Sequence, residues 1–180
     1  MIATPQATVD YLREAADAFT GRRMEREDFY MGVAHLLRLR STCKRGRVGG
    51  VAVAARRIIA TGYNGAPPGA PHCFELGCDV DANHHEGGCR RAVHAEANLI
   101  AFAAKHGVGL EGCTIYNTHG PCPRCAQLVV SAGVREFIYE IPYRLPEGLD
   151  ILDQGHVLIR QYGGEHGNSR RGSGASAFRD

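Results

Sequence analysis

Two short runs set the terms on which this chain can fold: His94-Ala95-Glu96 and, downstream, Pro121-Cys122-Pro123-Arg124-Cys125. Each run sits where the sequence turns helical. Ala-rich residues 92–106, with Leu99, Ile100 and Phe102 for a buried face and Gly107 as a stop, predict one helix. Residues 123–132, ended by Gly133, predict another. Cys122 and Cys125 are three apart at a helix start, so their sulfurs lie on one face and can share one ion. With His94 they form two thiolates and one neutral imidazole. That set balances the charge of Zn²⁺ and leaves a fourth tetrahedral position for water, which separates an open metal site from a closed one. The positive dipole ends of two helix N-termini also favour the thiolate form.

Glu96 lies two residues past His94, within reach of a water at the fourth position. A carboxylate there can take a proton from that water and hand it on, first to a ring nitrogen and then to a departing amine. A closed zinc knuckle has no use for it.

The rest of the chain supplies a scaffold. Residues 29–39 predict a helix through the spacing of Phe29, Val33, Leu36 and Leu37. Residues 48–54 and 57–61 read as two strands joined by a tight turn, and the Gly- and Pro-dense segment 62–69 as a loop. Strands are expected at 113–118, 134–139 and 156–161, with a short helix at 149–154. Cys113 opens an apolar strand and reads as a small buried hydrophobe. A hairpin followed by alternating helices and strands implies an α/β fold, one mixed sheet with helices on both faces. Residues 1–23 read as an N-terminal extension with an amphipathic stretch near 9–19, residues 24–162 as the domain, and the Gly-, Ser- and Arg-rich residues 163–180 as a flexible tail.

Composition bounds the partners. A net charge of +2 on 180 residues is no nucleic-acid coat, so nucleic acid is not an expected partner. No stretch is apolar enough to span a membrane, and the N-terminus has no signal peptide, so a cytoplasmic location is expected. Seven cysteines kept reduced there point to metal ligation rather than disulfides.

Several segments besides the two runs carry a resemblance: Arg40-Ser41-Thr42-Cys43, Val48-Gly49-Gly50-Val51, Thr61-Gly62-Tyr63-Asn64-Gly65, Pro71-His72-Cys73, Gly77-Cys78, His94-Ala95-Glu96-Ala97-Asn98 and Pro142-Tyr143-Arg144. Together they resemble the deoxycytidylate deaminase family of the cytidine deaminase-like superfold, over roughly Asp28 to Tyr162. The resemblance implies a three-layer α/β/α fold with one mixed five-stranded sheet. It implies zinc-dependent hydrolytic deamination of a cytosine nucleotide, dCMP to dUMP plus ammonia, with Glu96 catalytic and His94, Cys122 and Cys125 on the metal. Asn64 and Ala95 would contact the nucleotide; Asn64 reads alternatively as a residue tolerant of a left-handed turn. Arg40, Ser41, Tyr143 and Arg144 are candidate phosphate partners, while Arg45 and Arg47 read as surface charges.

The same resemblance implies a second, structural zinc on Cys43, Cys73, Cys78 and Cys89, with His72, His84 and His85 as alternates. Family members often carry His where this chain has Gly88, directly before Cys89. Regulation by dCTP and dTTP and a homo-oligomer, a hexamer by analogy, are further expectations. A transfer-RNA adenosine deaminase shares the two runs but has a short connection where Asn64 and His94 stand far apart. A riboflavin-pathway deaminase has a longer spacing between its cysteines. A non-catalytic zinc module binding phosphates through residues 38–47 is the reading from another class.

Overall fold

In the central strands, neighbouring residues go to opposite cores. Val51, Val53, Tyr116 and Ile138 belong to one buried cluster, and Ala52, Ile115, Phe137 and Tyr139 to the other. Such period-two sorting is what a sheet covered on both faces requires. The computed structural model describes residues 5–19, 23–80 and 88–164. Its elements run α1 (Pro5–Ala18), α2 (Arg26–Arg38), β1 (Gly49–Ala54), β2 (Arg57–Tyr63), α3 (Cys73–Leu76), α4 (Ala95–Lys105), β3 (Thr114–His119), α5 (Pro123–Ser131), β4 (Glu136–Ile141), α6 (Glu147–Gln154) and β5 (Leu158–Gln161).

The five strands form one sheet in the order β2-β1-β3-β4-β5. β1 pairs antiparallel with both β2 and β3, whereas β3, β4 and β5 are parallel. Between β1 and β2 the chain reverses through Ala55 and Arg56, both at positive φ (46° and 65°), the twist a two-residue hairpin favours. α2 covers one face of the sheet, and α4, α5 and α6 supply Leu99, Ala103, Ala126, Val129 and Leu152 to the other. This is the expected three-layer α/β/α arrangement with a mixed sheet. Arg160 on β5 bonds Glu136 of β4 (2.8 Å) and Glu27 of α2, and Tyr162 donates to Asp28 (2.7 Å), tying the start of α2 to the far sheet edge.

Two helix faces differ from the sequence expectation. On α2 the buried residues are Tyr30, Met31 and Ala34, while Phe29 and Leu36 are half exposed. The deciding contact is with the face of the sheet that α2 covers: the Tyr30 ring meets that of Tyr116 (5.1 Å between centroids) and its hydroxyl donates to Arg56 O (2.9 Å). On α4, Phe102 is exposed and packs on the His106 ring, because small Ala103 is what fits against the sheet. The loop expected from residue 62 begins later, since β2 runs to Tyr63, and α3 is a turn of helix that no periodicity announced. α1 buries none of its residues. Within 163–180, residues 165–180 lie outside the described residues. Among the described residues no helix is long and apolar enough to cross a membrane.

Candidate active site

α4 and α5 begin at the end of the sheet where β2 and β3, running the same way on either side of β1, finish. Val93 forms a two-bond antiparallel bridge with Gly65 (2.9 and 3.1 Å), which holds the chain extended up to His94, the N-cap of α4. The first turn of α4 lies against β2: a Cβ on Gly62 would fall 2.4 Å from Ala95 O, and Asn98 Nδ2 donates to Tyr63 O (2.7 Å). From the other side Cys122 caps α5, its sulfur accepting from Cys125 N (3.4 Å), with a proline opening the helix.

These two caps bring His94, Cys122 and Cys125 together. His94 Nδ1 lies 3.5 Å from Cys122 Sγ and 3.6 Å from Cys125 Sγ, and all three donor atoms fall within 4.8 Å of one another. Zinc bonds of about 2.0 Å to nitrogen and 2.3 Å to sulfur, set tetrahedrally, give an N···S edge of about 3.5 Å. The charge pattern agrees. A hydrogen bond from the Cys125 thiol, helped by His94 and the Cys125 N–H, brings Cys122 down to about 4. Cys125 is pushed far up by Cys122 and by burial, and the bond to Cys122 raises His94. The residues fit zinc.

Glu96, 4% exposed, is raised by burial to about 7. Its Oε1 accepts from Asn117 Nδ2 at 3.2 Å. A cavity of about 290 Å³ opens here, lined by His94, Ala95, Glu96 and Cys122 together with Arg45, Asn64, His119, Tyr143 and Arg144. Arg45 is exposed, as expected of a surface charge, and it also borders this cavity. Ser41 does not line the cavity. It is buried and donates to Asn64 Oδ1 (2.6 Å), which also accepts from Val48 N (2.8 Å), while Asn64 Nδ2 donates to Gly46 O (2.8 Å). Asn64 has no positive φ, so the left-handed-turn reading of it is set aside. Arg40 lines an adjoining groove with Leu39 and Lys44 instead, because it stands past the end of α2 on the other side of Ser41. Arg144 lies over the Tyr143 ring, 5.5 Å from its centroid.

A second group of donors lies beside the first. Cys73, Cys78 and Cys89 place their sulfurs within 4.8 Å of one another, Cys73 and Cys89 at 3.8 Å. Burial, then the bond to Cys89, raises Cys73 to about 12. Burial also acts on Cys89, but backbone N–H groups led by Arg91 bring it down. Cys43 is not one of the three; it lines the cavity, and its charge is among those raising Cys73. His72 caps α3 and pairs through Nδ1 with Thr42 Oγ1 (3.1 Å). His84 and His85 lie outside the described residues.

Asn117 and His119 went unremarked in the sequence, and the only signal of either is a polar residue in a strand that feeds Pro121-Cys122.

Residues 24–141 match the cytidine and deoxycytidylate deaminase zinc-binding region. The chain is similar to ComE operon protein 2 of Bacillus subtilis (38% identical, covering 77% of this chain and 72% of that protein). It is similar to the deoxycytidylate deaminase of Saccharomyces cerevisiae at 36% identity, over 76% of this chain and 44% of the yeast protein's length. Among solved structures it resembles the dCMP deaminase of cyanophage S-TIM5 in complex with dCMP and dUMP, with a TM-score of 0.68, 32% identity, and coverage of 78% of this chain and 99% of that one.

Proposed function

This chain belongs to the cytidine and deoxycytidylate deaminase zinc-binding family, and on that premise we propose that it hydrolyses dCMP to dUMP and ammonia, with His94, Cys122 and Cys125 holding zinc and Glu96 moving the protons. The observation that carries the reading is one cavity that joins a ligand triangle of tetrahedral dimensions, a buried carboxylate and two cationic side chains.

Zinc bound there supplies a Lewis acid that makes water nucleophilic near neutral pH. Glu96 takes a proton from the attacking water and gives it to N3 of the cytosine as oxygen bonds to C4. It then moves the hydroxyl proton to the exocyclic amine, the C4–N bond breaks, and ammonia leaves a C4 carbonyl. Arg144 and Arg45, with the Tyr143 hydroxyl, bind the 5′-phosphate through charge-assisted bonds. Asn64 engages Gly46 O with one amide hydrogen and offers the other to the nucleotide, beside the backbone of Ala95. Ser41 serves by orienting Asn64, and Arg40 stands back from the phosphate. The Cys73, Cys78 and Cys89 group, with Cys43 near it, holds a second, structural zinc. The same reading carries a cytoplasmic homo-oligomer that answers to dCTP and dTTP.

Ammonia and uracil-nucleotide release across cytidine, deoxycytidine, CMP, dCMP, dCTP and an anticodon-loop RNA tests the assignment. Turnover highest on dCMP supports it. Equal efficiency on deoxycytidine and dCMP removes the phosphate subsite, and activity confined to RNA overturns the substrate.

A further inference from the structure

Asn117 is an anomaly in its strand. It is 1% exposed in the middle of β3, on the same side as Ile115, where an apolar residue would satisfy the core. Instead its amide nitrogen makes two bonds, to His119 O at 2.7 Å and to Glu96 Oε1 at 3.2 Å. A carbonyl oxygen and a carboxylate oxygen both accept, so together they fix which end of the amide faces the site.

The other end of the amide is left unsupported. Asn117 Oδ1 is buried with no hydrogen-bond partner among the described residues, and an unmet buried carbonyl is a destabilising feature. The fold also makes room for it: a Cβ at Gly50 on β1 would stand 2.3 Å from that oxygen. A strand position that carries an unmet acceptor, and requires a bare neighbour, is poor packing. It makes sense if the two donors are what the position is for.

We propose that Asn117 is a positioning residue for the deamination assigned above, holding Glu96 Oε1 so that the carboxylate stays aimed at the metal centre and its other oxygen carries the proton between water, N3 and the leaving amine. The inference rests on the reading of Glu96 as the proton shuttle. His119 O anchors the amide on the strand's own backbone, so the orientation of Glu96 is set by β3 as well as by α4. Both elements lead into a metal-ligand cap, which keeps shuttle and ligands in one frame. The amide does not meet the nucleotide in this account; it acts only through Glu96.

N117L keeps the approximate volume and removes both donors, while N117D keeps the shape and replaces donors with a second carboxylate. Each is compared with the parent for kcat and KM on dCMP, zinc per chain and thermal midpoint, and N117L is combined with E96Q. The expected result is a kcat lower by about 10–100-fold, the range for a lost bond to a charged group, with KM within about twofold and zinc unchanged. N117D should fall at least as far. In the E96Q background N117L should cost almost nothing further, since the proton-carrying carboxylate that Asn117 positions is already gone even though the Gln carbonyl can still accept its bond. A kcat for N117L within about threefold of the parent, or a full second loss on top of E96Q, overturns the proposal. So does a loss of kcat that tracks loss of zinc in both variants, which marks a packing role. If N117L does not fold, N117D carries the same comparison. A parent inert on every cytosine nucleotide defeats the functional reading itself, whereas an active parent with an indifferent Asn117 defeats only this step.

Discussion

The chain holds two clusters of metal-binding side chains that look alike by distance and differ in what holds them. His94, Cys122 and Cys125 project from the caps of α4 and α5, helices of 11 and 9 residues packed on the sheet. Cys73, Cys78 and Cys89 stand on a four-residue helix, a loop and the isolated bridge between Val80 and Cys89. In the first cluster the apolar core places the ligands, and the ion adds chemistry. The second stands outside both apolar clusters of the described residues, so an ion bound there, as proposed, would supply the structure itself. Gly88 and Cys89 also line the cavity, which makes the second cluster a wall of the first cluster's site. On the proposed second zinc, similar donor geometry would thus carry opposite dependence on metal.

The most severe test of that contrast is Glu96→Gln. Turnover should drop by about 10²–10⁴-fold, the usual worth of a positioned acid–base group, with zinc content and thermal midpoint at parental values. A variant that also unfolds would tie the carboxylate to the scaffold and blur the distinction. Cys122→Ser should lose active-site zinc and nearly all turnover, yet α4 and α5 should keep their amide-exchange protection; if they melt, the core does not place the ligands. Arg144→Ala should lower kcat/KM for dCMP by about 10–100-fold, as for other lost bonds to a charge, and leave deoxycytidine almost untouched. An equal loss on both substrates would move Arg144 off the phosphate.

Cys73→Ser sharpens the other side. It should remove about one zinc equivalent, lower the thermal midpoint and expose residues 73–80 to amide exchange, while kcat stays within about threefold and KM rises through the altered wall. Unchanged zinc in this variant would leave the cluster as plain buried thiols. The smallest effect is expected at Phe102→Ser, within about 0.5 kcal/mol of parental stability, since the ring is 45% exposed and packs on His106 at its own helix end.

What could be read in advance follows the same division. Cys122 and Cys125 were legible because a spacing of three at a helix start is local geometry, and His94 with Glu96 because an N-cap and its first turn are local too. Phe29 and Phe102 misled, since helical period gives a stripe but not which stripe meets the sheet; distant Tyr116 decided that for α2, and on α4 the small neighbour Ala103 took the place against the sheet. Arg45 reads as a solvated charge in its run of basic residues, and only the return of residues 46–48 to Asn64 turns it towards the cavity. Asn117 is the hardest, because its partner Glu96 lies across a helix–strand contact that no linear pattern encodes.

The Asn64 amide has a consequence for how a ligand is received. Through Val48 N and Gly46 O it fixes residues 46–48, with Ser41 completing the set. Immobilising three residues of backbone costs on the order of 3–6 kcal/mol of conformational entropy, and here that ordering is complete at folding rather than deferred to encounter. On the proposed phosphate subsite, a phosphate arriving at Arg45 would meet a neighbouring segment already at rest, so its attraction would go into residence time on the protein instead of into stilling a loop.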